Sequence, residues 1–281
     1  MMSRPAPPVS ARRVDLHTHT TCSDGLLTPQ ALVRLAETRG LAALAITDHD
    51  SMDALPLAAS EHAAIELVPG IEMSSALEGS DLHILGYFVD PEHKELRQRL
   101  EEFRIDRIER AHQIIARLEM LGAPIEETRV RLRATGGVVG RPHVAAELVE
   151  AGHALDAEDA FRRFLAAGAP AYVPRPAFHP ADAIALIHAA GGVSVLAHAG
   201  SSVPDRTIEL LADSGLTGLE IWHPQHGANA LRRLRSLAHR LDLIETGGSD
   251  FHGAGRSVDL GEIYVPITAL TRLKEAAGVS G

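Results

Sequence analysis

The sequence predicts an α/β protein in which strands and helices alternate in a barrel-like order. Three observations support this fold class. Short apolar runs alternate with helical patterns, polar motifs follow the apolar runs, and 45% of the 281 residues are hydrophobic. That share suffices for a buried core, and the length fits one large domain or a barrel with an insertion. In parallel α/β folds, catalytic groups gather where the strands end.

The predicted elements follow one another along the chain. The first strand is expected at residues 14–19, and the helix after it has Thr28 as N-cap, Pro29 at its first position and an end near Gly40. The next elements are a strand at 41–47, a helix at about 51–64, strands at 66–72 and 81–89, and a helix at about 92–121. After Pro180 the alternation resumes, with helices at 181–190, 205–213 and 228–241 and strands at 193–198, 218–222 and 243–247.

Five short motifs near predicted strand ends carry side chains that bind metals. They contain nine candidate ligands: His17, His19, Asp24, His49, Glu72, His83, His198, Asp250 and His252. Imidazole and carboxylate groups suit divalent Zn, Mn or Fe, and nine exceed what one ion can use. The alternative is nine unrelated polar residues, but burying so many without partners is too costly. The sequence therefore predicts a multinuclear metal site.

Composition narrows the class of protein further. The net charge of −10 argues against a broad basic surface for long nucleic acids, although it does not exclude a phosphate substrate. No apolar run approaches the roughly 20 residues of a membrane span. Residues 1–12 are Pro-rich and basic without the apolar core of a signal peptide, so we expect a disordered leader and a cytoplasmic enzyme. The single cysteine, Cys22, can form no intrachain disulfide.

Six segments resemble the motifs of a known family, and they occur in its order: HTHTTCSDG, TDHD, GIEMS, HILGY, AHAG and GSDFH. This family is PHP (polymerase and histidinol phosphatase), which comprises metal-dependent phosphoesterases, and the resemblance covers nearly the whole chain. It implies a distorted (β/α)7 barrel with a centre of three Zn, Mn or Fe ions. We expect the barrel domain at 13–103 and 174–281. Residues 104–173 interrupt the alternation and are expected to form a mostly helical insertion that contributes substrate contacts.

The resemblance also divides the ligands among the three ions. The first ion would be held by His17, His19, Glu72 and Asp250. Glu72 would bridge to a second ion, whose other ligands are His83 and His198. The third set is Asp24, His49 and His252. The family commonly has AHPG where this chain has AHAG at 197–200, and because the ligand is kept, we expect little effect on metal binding.

Two features of the resemblance concern the substrate. Asp24, in SDG, resembles the branch that acts on nucleotide phosphates, whereas histidinol phosphatases tend to have histidine there. The segment GRPHV contains Arg141 and His143 and resembles an Arg-x-His motif that contacts substrate phosphate. We assign both residues to substrate binding and, with Asp250, to catalysis; a structural role at a helix N-terminus is the alternative for Arg141. His226 is a further candidate substrate contact.

These features together predict a metal-dependent hydrolase of phosphate esters. The resemblance implies removal of the 3′-phosphate from nucleoside 3′,5′-bisphosphates, with 5′-to-3′ trimming of short oligoribonucleotides as a further activity. One alternative is a histidinol-phosphate or other small phosphomonoester phosphatase. An alternative of another class is a non-catalytic regulatory module that binds metal. The expected partner is a small phosphorylated substrate, a nucleotide or short oligoribonucleotide, and the oligomeric state stays open.

Overall fold

A single mixed sheet forms the centre of the molecule in the computed structural model, which describes residues 13–61, 64–255 and 258–279. The predicted leader at 1–12 lies outside these residues. The strands are β1 (Arg13–Asp15), β2 (Ala43–Ile46), β3 (Glu66–Leu77), β4 (Ser80–Tyr87), β5 (Val193–Leu196), β6 (Gly218–Trp222), β7 (Ile244–Gly247) and β8 (Val265–Pro266). Their order in the sheet is β7-β6-β5-β4-β3-β2-β1-β8.

Helices surround this sheet. They are α1 (Pro29–Thr38), α2 (Ala54–Ala59), α3 (Lys94–Met120), α4 (Glu127–Arg133), α5 (Arg141–Glu150), α6 (Ala157–Ala160), α7 (Pro180–Ala189), α8 (Asp205–Asp213), α9 (Ala228–Arg240) and α10 (Ile267–Ala277), with one π-helical turn at Phe161–Leu165. The predicted start of α1 is confirmed, because the Thr28 hydroxyl accepts a hydrogen bond from the Ala31 N–H and Pro29 opens the helix. Within the described ranges, no helix is both long and apolar enough to cross a membrane.

The sheet closes nearly into a barrel where the segment after β1 meets the end of β7. The Leu16 N–H donates to the Gly247 carbonyl (N···O distance 3.3 Å), and the Asp250 N–H donates to the His17 carbonyl at 2.9 Å. A further parallel bridge joins Thr18 and Phe251. The predicted fold class is confirmed, with β8 as a two-residue strand beyond the seven that the resemblance implied. Closure also brings the ligand segments after β1 and β7 side by side.

The sheet departs from simple β-α alternation at β3 and β4. These strands form an antiparallel hairpin, and β4 is also antiparallel to β5. The hairpin turn is Glu78-Gly79, with φ angles of +50° and +80°, which suits the tight two-residue turns that favour glycine. As a result β3 runs on to Leu77, five residues beyond its predicted end, and the hairpin carries Glu72 and His83 side by side.

Apolar residues separate into clusters on either side of the sheet and within the helical segment between β4 and β5. One cluster lies among the strands and α10, and another packs α7, α8 and α9 against the sheet. A third is confined to residues 111–173, where α3 packs with α4, α5 and α6. The helix α3 runs through the predicted boundary at residue 104, and the division into two domains stays a prediction.

Candidate metal centre

The nine predicted ligands meet at one end of the barrel. His17, His19 and Asp24 follow β1, and His49 follows β2. The remaining ligands lie on β3 and β4 or follow β5 and β7: Glu72, His83, His198, Asp250 and His252. Subsets of these side chains offer ligand atoms within 4.8 Å of one another. Thus the structure brings together groups that are separated by up to 235 positions in the sequence, from 17 to 252.

Glu72 is the centre of this arrangement. Its Oε1 lies 2.8 Å from His83 Nδ1 and 3.0 Å from His198 Nε2. Its Oε2 lies 2.9 Å from His49 Nδ1, 3.2 Å from His19 Nε2 and 3.4 Å from His17 Nε2. One buried carboxylate therefore contacts five imidazoles, and its two oxygens face different groups of them. This geometry suits a carboxylate that bridges two cations.

Asp250 completes the group around the first two histidines. Its Oδ1 lies 3.4 Å from His17 Nε2 and 3.2 Å from His19 Nε2. The backbone at Asp250 is left-handed, with φ at +51°, and its N–H bond to His17 fixes the turn that aims the carboxylate inward. Asp250 and the two histidines form one of the groups whose geometry could hold an ion.

The third predicted set surrounds Asp24. His252 Nε2 lies 3.2 Å from Asp24 Oδ1, and His49 Nε2 lies 3.9 Å from Asp24 Oδ2. His19 Nδ1 is also 3.9 Å from Asp24 Oδ1, so a fourth side chain joins the predicted set. His49 contacts Asp24 through one ring nitrogen and Glu72 through the other. The assignment of each ligand to a particular ion stays a prediction.

Several inward-facing atoms are buried and, although some lie as close as 2.9 Å to one another, they form no well-directed hydrogen bond with the described residues. They are His17 Nε2, His19 Nε2, His49 Nδ1 and Glu72 Oε2. Leaving buried polar atoms unsatisfied is costly, and these four point toward the same space. Nitrogen and oxygen donors of this kind are the usual ligands of Zn, Mn and Fe. The residues present therefore fit a group of divalent cations.

The cluster shifts the pKa values of its members in opposite directions. Burial alone lowers the pKa of the His19 imidazole, but the carboxylates of Asp250 and Glu72 outweigh it and raise this pKa to about 10. Burial dominates at His49 and lowers its pKa to about 4. Burial raises the pKa of the Glu72 carboxyl, but the surrounding histidines hold it well below its usual range. The carboxylates are thus charged, as metal ligands must be.

Two site residues were missed by the sequence analysis, namely Glu220 on β6 and His223 after it. Glu220 Oε1 lies 3.0 Å from His17 Nδ1, and its Oε2 accepts a hydrogen bond from the His198 N–H at 2.7 Å. His223 Nε2 lies 3.4 Å from Asp250 Oδ2. The available signal was a glutamate within the apolar strand GLEIW, because a carboxylate there is buried and requires a partner.

Asp48 fixes the loop that carries Asp24. Its Oδ1 accepts hydrogen bonds from the Thr20 N–H at 2.7 Å and the Ser23 hydroxyl at 2.5 Å, while its Oδ2 accepts from the Thr20 hydroxyl at 2.6 Å. All of these groups are buried. Asp48 therefore ties the loop after β2 to the loop after β1.

Arg141 lies at the start of α5, within a group of arginines. Its Nη2 donates to Asp81 Oδ2 at 3.1 Å, and its guanidinium lies 5.6 Å from the ring centre of Tyr172. Burial lowers the pKa of Arg110 to about 9, and the charges of Arg175 and Arg141 add to this effect. Arg175 in turn acts electrostatically on His83, one of the candidate ligands. Positive charge therefore adjoins the metal centre on this side.

The remaining predicted substrate contacts, His143 and His226, occupy different environments. The Gly140 N–H donates to His143 Nδ1 at 3.0 Å, so a neutral ring carries its proton on Nε2. His226 Nδ1 donates to the Ile221 carbonyl at 2.8 Å, and His226 Nε2 accepts from the Gly200 N–H at 3.0 Å. Because both of its nitrogens bind backbone, the His226 ring holds the loop after His198 and offers no nitrogen to a substrate. The predicted substrate role of His226 is not supported by this geometry.

Known proteins resemble this chain over most of its length. The PHP domain family matches residues 15–129. A 5′-3′ exoribonuclease Rnm from Salmonella typhimurium is 38% identical over 263 residues, which cover 90% of this chain and 89% of the relative. A 3′,5′-nucleoside bisphosphate phosphatase from Chromobacterium violaceum is 35% identical over 250 residues, covering 86% of this chain and 88% of that enzyme.

The fold of this chain is also similar to that of a solved structure. A Bifidobacterium adolescentis protein assigned as a metal-dependent phosphoesterase superposes with a TM-score of 0.90 at 34% sequence identity, covering 98% of this chain and 99% of that one. Its assignment agrees with a site built from carboxylates and imidazoles. These comparisons and the six motifs lead to one conclusion: the chain belongs to the PHP family and is a metal-dependent phosphoesterase.

Proposed function

We propose that this phosphoesterase acts on nucleotides, removing the 3′-phosphate from nucleoside 3′,5′-bisphosphates and trimming short oligoribonucleotides from the 5′ end. The observation that carries the proposal is the group of arginines beside the metal centre. It is combined with the presence of the Asp24 carboxylate among the candidate metal ligands. The names of the Chromobacterium and Salmonella relatives support the same substrate class.

Three divalent ions, held by the nine ligands as the resemblance implies, would supply charge to neutralise the phosphoryl oxygens and to acidify a water nucleophile. The side chains of the chain fix the geometry of this reaction. Glu72 spaces the first two sets of ligands, and Asp250 faces both His17 and His19. Glu72, His17 and His19 are completely buried, and the Asp250 N–H is bonded to the His17 carbonyl. The site is therefore organised before substrate arrives, which lowers the cost of reorganisation.

The arginines supply positive charge for a substrate with more than one phosphate. Arg107 pairs with Asp50, and Arg141 pairs with Asp81. Arg110 uses its Nε on the Val173 carbonyl, and its Nη2 is buried without a hydrogen bond from the described residues. Burying guanidinium groups in excess of carboxylates is costly unless an anion compensates them. A second phosphate on the substrate would do so.

His143 and Arg141 have complementary roles in this proposal. The guanidinium of Arg141 would bind phosphate oxygens with its planar donors, after exchange of its bond to Asp81. The neutral His143 ring, with its proton on Nε2, would donate a hydrogen bond to a phosphate oxygen or to the leaving oxygen. Burial raises the pKa of the Asp24 carboxyl, but the charges of His252 and His49 outweigh this effect and lower it well below its usual range. Asp24 therefore stays charged, as a member of the third predicted set of metal ligands must be.

The proposal is tested by comparing substrates on the Mn²⁺-loaded protein. We expect kcat/KM for adenosine 3′,5′-bisphosphate to exceed that for histidinol phosphate by at least about 100-fold, which corresponds to roughly 2.7 kcal/mol of transition-state discrimination. A 5′-phosphorylated tetraribonucleotide should be shortened from its 5′ end. Preference for histidinol phosphate would contradict the nucleotide assignment.

A pair of arginine variants tests the substrate contact itself. Arg141→Gln should lower kcat/KM for the bisphosphate by at least about tenfold, since charge-assisted hydrogen bonds to phosphate are worth about 1.5–3 kcal/mol. Arg131→Gln removes an exposed arginine of α4 that pairs with Glu127, and it serves as the matched control. Equal kcat/KM values for the two variants would show that Arg141 does not contact the substrate.

A further inference from the structure

A buried ion pair outside the predicted ligand set connects the long helix α3 to the metal centre. Asp50 directly follows the ligand His49, and its backbone is left-handed with φ at +51°. The Asp50 N–H donates to the Glu72 carbonyl at 3.0 Å, and Asp50 Oδ1 accepts from the Ser74 N–H at 2.7 Å. Asp50 thus joins the loop that carries His49 to the strand that carries Glu72.

The nearest charged partner of Asp50 is Arg107, which lies on α3, while Arg175 Nη1 lies farther away, at 4.0 Å from Asp50 Oδ2. Arg107 Nε and Nη2 donate to Asp50 Oδ2 at 2.9 and 2.6 Å, and Nη2 also donates to the Ser74 hydroxyl at 3.1 Å. Arg107 Nη1 donates to the Val139 carbonyl at 3.5 Å, immediately before the segment that carries Arg141 and His143. One guanidinium therefore contacts both ligand-bearing segments and the segment that carries the predicted substrate contacts.

We propose that Arg107 is a positioning residue that sets the spacing of His49 and Glu72 and aligns the metal centre with the residue 139–143 segment. The planar guanidinium suits this role, because its donors have fixed directions and can hold three groups at once. Both side chains are buried, with 9% of Arg107 and 2% of Asp50 exposed, so water cannot substitute for these bonds. The proposal concerns how the ligands are held and does not depend on the identity of the substrate.

A purely stabilising ion pair and a positioning residue predict different results. If Arg107 only compensates the buried charge of Asp50, removing both charges together should restore stability and metal affinity alike, since a buried pair is often replaceable by uncharged groups. If Arg107 positions the ligands, replacing both Asp50 and Arg107 by uncharged residues should restore stability but not metal affinity. The comparison of Arg107→Met with the double variant Asp50→Asn, Arg107→Met separates the two.

The experiment measures Mn²⁺ affinity by calorimetry, the number of bound ions by elemental analysis, and the unfolding temperature of the metal-free protein. We expect both variants to bind Mn²⁺ at least tenfold more weakly than the unmodified chain, while the double variant recovers most of the unfolding temperature lost in the single one. Arg104→Met is the matched control on α3, because Arg104 is exposed and forms its ion pair with the exposed Glu101. It should retain full affinity.

Two results would overturn the proposal. One is unchanged Mn²⁺ affinity and ion number in Arg107→Met, and the other is recovery of both stability and affinity in the double variant. If Arg107→Met fails to fold, the double variant and Arg107→Lys decide the question. Lysine keeps the positive charge opposite Asp50 but lacks the planar set of donors, so weakened affinity supports positioning and full affinity contradicts it.

Discussion

His17 Nδ1 lies 3.0 Å from Glu220 Oε1, and both side chains are completely buried. Burial raises the pKa of the Glu220 carboxyl, but the charges of His17 and His223 lower it more strongly, so Glu220 is ionised. The His17 Nδ1–H then donates to Glu220, and Nε2 is left facing Glu72 and Asp250. A carboxylate that orients a ligand histidine in this way fixes its ring and increases its basicity.

Glu220→Gln should therefore weaken metal binding although Glu220 is not among the nine predicted ligands. We expect a loss of about 10–100-fold in metal affinity or in kcat, the range typical for groups that orient ligand histidines. Calorimetric titration with Mn²⁺ and steady-state kinetics measure the two quantities. Glu245→Gln, on the neighbouring strand β7, is the control, because Glu245 pairs with Arg235 outside the site. Equal affinities in the two variants would contradict the orienting role.

Metal binding should release protons, and its affinity should rise with pH. Because the pKa values of His17 and His19 are raised, both imidazoles are cationic at neutral pH in the metal-free protein, with a proton on each ring nitrogen. A metal ligand must be deprotonated, so the ion competes with these protons, and the competition weakens as the pH rises toward the His19 pKa of about 10. His49, with its pKa of about 4, is already neutral and releases none.

Titration calorimetry in two buffers of different ionisation enthalpy, at the same pH near 7.5, measures this release directly. A heat of binding that depends on the buffer, together with tighter binding at pH 8.5 than at pH 6.5, is the expected result. The double variant His17→Gln, His19→Gln should show a smaller buffer dependence, and His198, whose pKa is also raised by nearby carboxylates, accounts for the remainder. Proton-independent binding of Mn²⁺ between pH 6.5 and 8.5 would show that the two imidazoles are neutral without metal.

The candidate ligands could be found in the sequence because each lies in a short local motif, although Glu72 and His83 lie inside β3 and β4 and not at strand ends. Glu72 is an example: the segment GIEMS resembles a family motif and follows an apolar run. The contacts that organise these ligands are of another kind. Glu220 and Arg107 act on His17 and Asp50 across 203 and 57 positions of the sequence, and no local pattern encodes such a pairing.

Helix α3 illustrates why burial of charged residues was difficult to predict. Its sequence is charged on every side, and exposed pairs such as Arg104 with Glu101 look no different from Arg107. Only the hydrogen bonds of Arg107 to Asp50, Ser74 and Val139 distinguish it from Arg104. The long hairpin of β3 and β4 was missed for a similar reason, since strand pairing depends on the turn at Glu78-Gly79 and not on the apolar pattern of either strand.

His226→Gln should reduce stability without changing substrate affinity. Both ring nitrogens of His226 hold backbone groups, at Ile221 and at Gly200, and losing a buried hydrogen bond costs about 1–3 kcal/mol. Urea unfolding of the metal-free protein measures this cost. KM for adenosine 3′,5′-bisphosphate should stay within about twofold of the original value. A lost substrate contact would instead raise KM by about tenfold, which corresponds to about 1.4 kcal/mol. A large rise in KM with an unchanged free energy of unfolding would instead show that His226 contacts the substrate.

Gly136 lies where the helical segment touches the loop that carries Asp24, and it should tolerate no side chain. Its N–H donates to the Thr21 carbonyl at 3.0 Å, and a Cβ at Gly136 would lie 2.3 Å from Cys22 Cα and 2.5 Å from the Cys22 carbonyl oxygen. Because backbone cannot yield as a flexible side chain can, Gly136→Ala should push the two loops apart.

We expect Gly136→Ala to lower the free energy of unfolding by about 1–3 kcal/mol, the range typical of overpacking. It should also weaken binding of the ion assigned to Asp24, because that residue lies only two positions beyond Cys22. Gly227→Ala is the control: its φ is −66° and an added Cβ meets nothing within 4 Å. Urea unfolding and the number of bound Mn²⁺ ions measure both effects. If the two alanine variants prove equally stable and bind equal numbers of ions, the contact between Gly136 and Cys22 does not position the Asp24 loop.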